Sequence, residues 1–397
     1  MALTANESRL AGAAGKRGAA MLAELEHLVN IPTGPGGGGL DETRGWLCDR
    51  LAKLGASVRL EPGDPTPEWL GGGGKAAPPT AICERRIAGV GPHFMLCGHI
   101  DTVHDVGSPF RKLSIATDGK TCTGPGAVDM KGGLLVALHA LETLEECGVR
   151  VSFTFAINSD EETSSFASER ALRACARAAD IGLVFEPAMA NGGLVVERTG
   201  SGQFMLEARG RSAHVGRDFT SGASAVNALA RAILDVAAMA DPARGLITNI
   251  GPVKADQPSN VVSDLACAWG NARFLDAALA EELGRRMDAL GTPPGAVPAI
   301  IVRRAFNRPS KPATPAVMRL AEAARAAAED LGQALPFGKT GGVCDGNTMQ
   351  AEGLATIDTL GVRGGGLHTP DEWVEVASLA ERAALASVLI SRLAGGA

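Results

Sequence analysis

Val151-Ser152-Phe153-Thr154-Phe155-Ala156-Ile157-Asn158-Ser159-Asp160-Glu161-Glu162 is an apolar run that ends on three adjacent carboxylates. The β-branched and aromatic residues of 151–157 predict a strand, and the acidic triplet follows where that strand leaves its sheet. Working outward, the arrangement recurs. Upstream, 131–146 has helical periodicity, and before it a strand at 93–97 runs into Gly98-His99-Ile100-Asp101-Thr102. Downstream, a helix over 168–179 precedes a strand at 181–185 that ends on Glu186-Pro187. Helices over 19–30 and 40–54 and strands at 56–60 and 80–86 open the chain. A helix over 315–331, a strand at 355–359 and a helix over 376–393 close it. Strands alternating with helices predict an α/β fold, a mostly parallel sheet sandwiched by helices. In such a sheet, ligands gather at loops beyond the carboxyl ends of the strands.

Around residue 200 the pattern changes to strand 203–209, helix 223–240, strands 245–251 and 261–274, helix 277–290 and strand 299–304. This β-α-β-β-α-β order is the ferredoxin-like unit. The expected division is therefore one domain of 1–199 and 306–397 with a second domain, 200–305, inserted into it.

Composition narrows the function classes. The 397 residues are 45% hydrophobic and 21% charged, as in ordinary globular proteins. With 38 basic against 44 acidic residues, a net charge of −6 and no Lys/Arg block, the footprint of a nucleic-acid binder is missing. No apolar stretch reaches the roughly 18–20 residues of a membrane span, and none has the form of a signal peptide, so the cytoplasm is the expected compartment. The eight cysteines contain no C-x-x-C pair and are expected to be reduced. Glycine runs at 36–39 and 71–74 fit no phosphate loop and are expected to be surface loops.

Of seven histidines, His99 and His368 stand out. Residues two apart in an extended segment share a face, so the Asp101 carboxylate can sit beside the His99 imidazole. A carboxylate there fixes the tautomer of a metal-binding histidine. Asp129 lies in 124–133, just before a helix, where a helix cap is the bland alternative. Asp160-Glu161-Glu162 repel one another unless a cation compensates, Glu186 ends a strand, and His368 sits in the glycine-rich loop 361–369. Each has a dull explanation alone, yet all fall at strand-end loops of one sheet. Two histidines with three carboxylates suit two divalent ions, and imidazole with carboxylate and no thiolate cluster favours zinc.

These residues resemble the co-catalytic zinc hydrolases that include acetylornithine deacetylase, succinyl-diaminopimelate desuccinylase, aminoacylase and the glutamate carboxypeptidases. The likeness runs through 28–33, 99–102, 124–133, 160–162, 185–187, 210–216, 341–347 and 361–372. Ser165-Phe166, Phe185-Glu186-Pro187 and Arg303-Arg304-Ala305-Phe306-Asn307 point to the carboxypeptidase G branch. The resemblance implies a zinc-exopeptidase catalytic domain, an inserted lid and dimerisation domain, and two Zn2+ per subunit, with Co2+ or Mn2+ as substitutes. Asp129 would bridge the metals, with His99 and Glu186 completing one site and Glu162 and His368 the other. Glu161 would be the general base, Asp101 would support His99, and Asp129-Met130 would be a cis peptide. His214 would reach from the partner subunit of a homodimer to the oxyanion. Asn260 and Arg273 match substrate-holding positions; Arg303, Thr340, Gly341 and Gly365 are further candidates, and Asp345 is read as loop structure.

The implied reaction is hydrolysis of an amide next to a free carboxylate, releasing a C-terminal amino acid from an N-acyl or peptide substrate. Deacylation of N-acyl amino acids, as in acetylornithine deacetylase and the desuccinylase, is the alternative. An aminopeptidase would need an acidic group for the substrate amine, whereas Arg273 and Asn260 point the other way. A non-catalytic binding protein would lack the base or a ligand. Glutamate-preferring relatives carry a lysine a few residues past Glu186; here 192–196 holds no cation before Arg198, so the resemblance does not imply strict glutamate specificity, and glutamate and other C-terminal residues, apolar ones included, stand as equal expectations.

Overall fold

The computed structural model describes residues 2–71 and 76–395. Six strands form the first sheet, in the order Ser57–Glu61, Thr80–Arg85, Ser152–Asn158, His93–His99, Ile181–Val184 and Thr356–Ile357. The first two pairings are antiparallel and the remaining three are parallel. Every residue of His93–His99 and Ser152–Asn158 is buried, because both faces of these central strands are covered. Phe94 and Leu96 pack into one core with Leu134 and Leu385, while Met95 and Cys97 pack into another with Leu172 and Met349. The register pairs His99 with Asn158 and Cys97 with Val184, so the parallel strands end level with one another. That common edge delivers His99, the 160–162 triplet and Glu186.

The fourth contribution comes from the start of helix Gly132–Glu146. It is preceded by a wide helical turn, Ala127–Lys131, in which Asp129 and Met130 leave helical geometry and share a cis peptide bond. A Cβ on Gly133 would lie 1.9 Å from the Phe185 carbonyl oxygen, so only glycine lets this turn press against the strand end that carries Glu186. Lys131 Nζ donates to the carbonyls of Leu28 and Ile31, at 2.9 and 3.0 Å, and thereby ties the 28–33 segment to the same turn.

The second sheet is antiparallel, in the order Leu246–Lys254, Leu265–Phe274, Gly200–Arg209, Ala299–Arg308. Alternate residues such as Phe204, Leu206, Ala268 and Ala272 share a separate core with Leu229 and Leu283 from helices Ala225–Ala237 and Ala277–Asp288. Ser224 and Asp276 cap these helices. The residues between them, Gln203, Met205 and Glu207 with Trp269, Asn271 and Arg273, stand on the opposite, helix-free face. Gln203 Nε2 donates to Ser164 Oγ at 2.8 Å, which joins that face to the loop after Glu162.

Several expectations change. The strand expected over 261–274 is two: Val261–Val262 pairs with Ala213–His214, and only Leu265–Phe274 enters the sheet. The last strand runs to Arg308, three residues past the expected domain boundary. Helix Ala5–Gly15 was not anticipated, since its Ala/Gly-rich sequence buries little besides Leu10 and Ala14; a Thr4/Glu7 capping box starts it. Leu194–Arg198 and Phe337–Thr340 form an additional parallel pair. The 36–39 run is a tight turn, with a Gly37 Cβ position only 2.4 Å from the Pro32 carbonyl. Residues 72–74 of the other glycine run lie outside the described residues. Among the described residues, no helix is long and apolar enough to cross a membrane.

Candidate metal centre

His99 Nε2 stands 3.2 Å from Asp129 Oδ1 and 4.0 Å from Glu186 Oε1. On the other side of Asp129, His368 Nε2 lies 3.4 Å from Oδ2 and 3.3 Å from Glu162 Oε2. The two Asp129 oxygens thus face different histidines. His99, Asp129 and Glu162 each offer a ligand atom within 4.8 Å of the others. All five residues expected as ligands converge in this cluster, and the loop that brings His368 holds it in the left-handed region, at φ 61°.

The cluster carries more negative charge than its surroundings balance. Asp129 and Glu186 are buried, and among the described residues neither Lys nor Arg forms an ion pair with Asp129, Glu162 or Glu186. Burial, and then the neighbouring Asp129 carboxylate, push the Glu186 carboxyl well above its ordinary range. Hydrogen bonds with Asp129 and Glu162 push His368 up to about 10. Both shifts are those of a site that favours added positive charge. His99 Nδ1 lies 3.0 Å from the Asp101 carbonyl oxygen, so the proton belongs on Nδ1 and Nε2 is left as a ligand nitrogen. A nitrogen-and-carboxylate donor set of this kind fits divalent metal ions.

The Asp101 carboxylate sits beside His99, as expected, 3.5 Å from Nδ1, with the Asp101 backbone carbonyl nearer at 3.0 Å. The same carboxylate accepts from the amides of Glu161 and Glu162, at 3.3 and 3.0 Å, and sets the acidic turn in place. Glu372 does the same for the Asp129 turn, accepting from the amides of Gly126, Val128 and Asp129 at 3.0, 2.8 and 3.1 Å.

The cluster opens into a cleft of about 480 Å³ whose walls include Glu161, Met189, Val195, Arg198, Thr340, Gly365 and Leu367. Burial pushes the Glu161 carboxyl up to about 7, opposed by Arg308.

The model of peptidase family M20/M25/M40 matches residues 95–392. The chain belongs to this family. It is 30% identical to carboxypeptidase G2 of Pseudomonas sp. (strain RS-16), over 95% of this chain and 90% of that protein. Its fold is similar to that of a tripeptidase from Staphylococcus aureus, with a TM-score of 0.74 and 21% identity, covering 96% of this chain and 99% of that one. It is also similar to the YXEP protein of Bacillus subtilis, a dinuclear metal-binding peptidase of the M20 family, at a TM-score of 0.63 and 15% identity over 95% and 98% of the two chains. This member of the family is a metal-dependent hydrolase.

Not every expected residue of this M20 peptidase joins the cluster. Thr340 and Gly365 line the cleft, and the Gly341 carbonyl accepts from Thr199 Oγ1 beside it. Arg273 lies on the helix-free face of the second sheet, next to Arg308, which touches Glu161. Arg303 does not reach the cleft: its Nη1 pairs with Glu207 Oε2 at 2.5 Å on the same sheet face. His214 and Asn260 stand together on an exposed edge, where the Asn260 carbonyl accepts from Val215 N and His214 Nδ1 accepts from Gly216 N. Within this chain neither touches the cluster.

Sequence reading missed Arg308 and misjudged Asp345. Asp345 is no loop filler: it begins helix Asp345–Ala351, is buried, and accepts from Asn158, Ser165 and Arg308. The available signal was a lone acidic residue between Cys344 and Gly346, too short a pattern to distinguish a hub from a turn.

Proposed function

We propose that this M20 peptidase is a di-zinc amidohydrolase that releases a C-terminal amino acid from N-acyl or peptide substrates. The observation that carries the carboxylate requirement is Arg273. Its Nη1 is buried without a hydrogen-bond partner, and burial followed by the nearby Arg308 lowers its pKa. No acidic side chain pairs with it among the described residues. A substrate carboxylate supplies what the guanidinium lacks, through charge-assisted hydrogen bonds.

In this reading two metal ions would be held by His99, Asp129 and Glu186 on one side and by Asp129, Glu162 and His368 on the other. When bound, the ions supply Lewis acidity for the scissile carbonyl and lower the pKa of water at the site. Glu161, inside the cleft and tied to none of the proposed ligands, takes the proton of the attacking water and hands it to the leaving amine. Arg273 orients the released residue by its carboxylate. His214 and Asn260 share one exposed edge, and each chain of a homodimer presents them to the other's oxyanion and substrate.

The side-chain preference follows from the cleft wall. No lysine or arginine stands between Glu186 and Arg198, and Leu194 in this stretch is buried in the core. Arg198 lines the cleft, but Asp358 and the Gly342 carbonyl occupy its guanidinium. Lys339 also lines the cleft but pairs with Glu197 Oε1 at 2.8 Å, and Met189, Val195 and Leu367 form an apolar part of the wall. Apolar or small C-terminal residues are preferred over glutamate. A panel of N-benzoyl and N-acetyl amino acids, folyl-glutamate, and dipeptides with blocked or free amino termini tests this. Release of the C-terminal residue from blocked substrates is expected; turnover confined to free-amine peptides contradicts the reading.

A further inference from the structure

Strand Ala299–Arg308 pairs regularly with Gly200–Arg209 from Ala299 opposite Arg209 to Ala305 opposite Gln203. It then slips by one residue, so that Arg308 rather than Asn307 stands opposite Ser201. Bulges of this kind re-aim side chains next to active sites. Asn307 is turned to the Ser164 carbonyl, to which its Nδ2 donates at 2.7 Å. Across Ser201, on the neighbouring strand, stands Arg273. Two arginines therefore flank one serine at the end of the second sheet, with backbones roughly 10 Å apart given the ordinary strand spacing. They have opposite surroundings: Arg273 has no acidic partner among the described residues, whereas both terminal nitrogens of Arg308 meet carboxylates.

Arg308 is only 2% exposed. Its Nη2 donates to Glu161 Oε1 at 2.9 Å and to the Glu161 carbonyl at 3.1 Å, gripping this residue at both side chain and backbone. The same nitrogen lies 2.7 Å from Ser165 Oγ, and Nη1 donates to Asp345 Oδ1 at 3.1 Å. Ser165 Oγ in turn donates to Asp345 Oδ1 at 2.7 Å. Asp345 also accepts from Asn158, the last residue of a central strand of the first sheet. The guanidinium is thereby braced against the first sheet while its own strand belongs to the second. A planar fork suits this set of acceptors; a lysine ammonium, a point charge on a flexible stem, does not. With Oε1 held from behind, Oε2 is the Glu161 oxygen without a hydrogen bond among the described residues, and Glu161 lines the cleft.

We propose that Arg308, aimed by the bulge before it and braced by Asp345 and Ser165, is the positioning residue of Glu161: it pins Oε1 so that Oε2 is presented to the attacking water. This rests on Glu161 being the general base. Arg308 touches neither substrate nor metal ligand and acts through the carboxylate alone, so its loss lowers kcat and leaves substrate binding and metal binding in place.

The experiment measures kcat, KM, metal per chain and Tm for Arg308→Met, Arg308→Lys, Asp345→Asn, the Arg308→Met/Asp345→Asn pair and Glu161→Gln. A misplaced reacting group costs on the order of 100-fold, so Arg308→Met should lower kcat about that much, with KM and metal content near wild type. Arg308→Lys should recover part of the loss. Asp345→Asn should lower kcat in the wild-type chain and add nothing further in the Arg308→Met chain, the non-additivity of residues acting as one unit. If Arg308→Met does not fold, Ser165→Ala removes one brace and should lower kcat alone. A wild-type kcat in these variants, or a loss that tracks metal content, overturns the inference. Wild-type turnover in Glu161→Gln overturns the base assignment instead; an inactive Glu161→Gln beside an unaffected Arg308→Met overturns only the role of Arg308.

Discussion

The five-residue cluster around Asp129 and the His214–Asn260 edge draw on similar residue types, yet the first assembles its polar groups within one chain and the second stands apart from them. In the cluster, two histidines and three carboxylates face one another in a largely buried space, each within 4.0 Å of another member. On the edge, His214 and Asn260 are exposed, and His214 Nδ1 accepts only from a neighbouring amide two residues away. Burial concentrates like charge until a cation is favoured, and this needs only the fold of one chain. An exposed histidine on a two-stranded edge acquires chemistry only from what is brought against it.

That contrast can be broken most severely at Asp129. Asp129→Ala removes the carboxylate shared by both halves of the cluster, and metal content and turnover should both fall to background, read by elemental analysis and a product assay. Retained metal with retained turnover would show that the cluster is not the reacting centre. Next in size, Glu161→Gln should lower kcat about 10³–10⁴-fold, the upper range for general acid–base catalysis, with metal content unchanged. A proportionate loss of metal would make Glu161 a ligand instead.

The edge is tested by His214→Ala, which should lower kcat about 10²–10³-fold, as the loss of an oxyanion donor does. Mixing His214→Ala chains with Glu161→Gln chains separates the two regions. If His214 serves the partner's site, a mixed dimer holds one intact site and activity returns; if it serves its own chain, both sites stay dead. The smallest effect is expected for Arg273→Ala, which removes a charged hydrogen bond worth roughly 1.5–3 kcal/mol and should lower kcat/KM about 10–100-fold, mainly through KM. An unchanged KM for carboxylate-bearing substrates would leave Arg273 without the role assigned to it.

The same contrast explains what could be read from sequence. The convergence of His99, the 160–162 triplet and Glu186 was legible because apolar runs mark the strands and parallel strands deliver their ends to one edge. His99 and Asp101 were placed correctly side by side, but which Asp101 oxygen comes nearer the ring depends on how the chain turns after the strand. Arg308 was not singled out, because regular alternation along the strand cannot anticipate the one-residue slip that turns it to Glu161. Asp345 became visible only when three distant segments closed around it. Helix Ala5–Gly15 escaped notice because small residues leave no periodic apolar signal.

The most direct test is metal content measured together with turnover of blocked N-acyl amino acids, before and after chelation. The account predicts about two zinc ions per chain, loss of C-terminal residue release when they are removed, and recovery when zinc is returned, as expected for a two-metal hydrolase. Full turnover by the metal-free protein would contradict it.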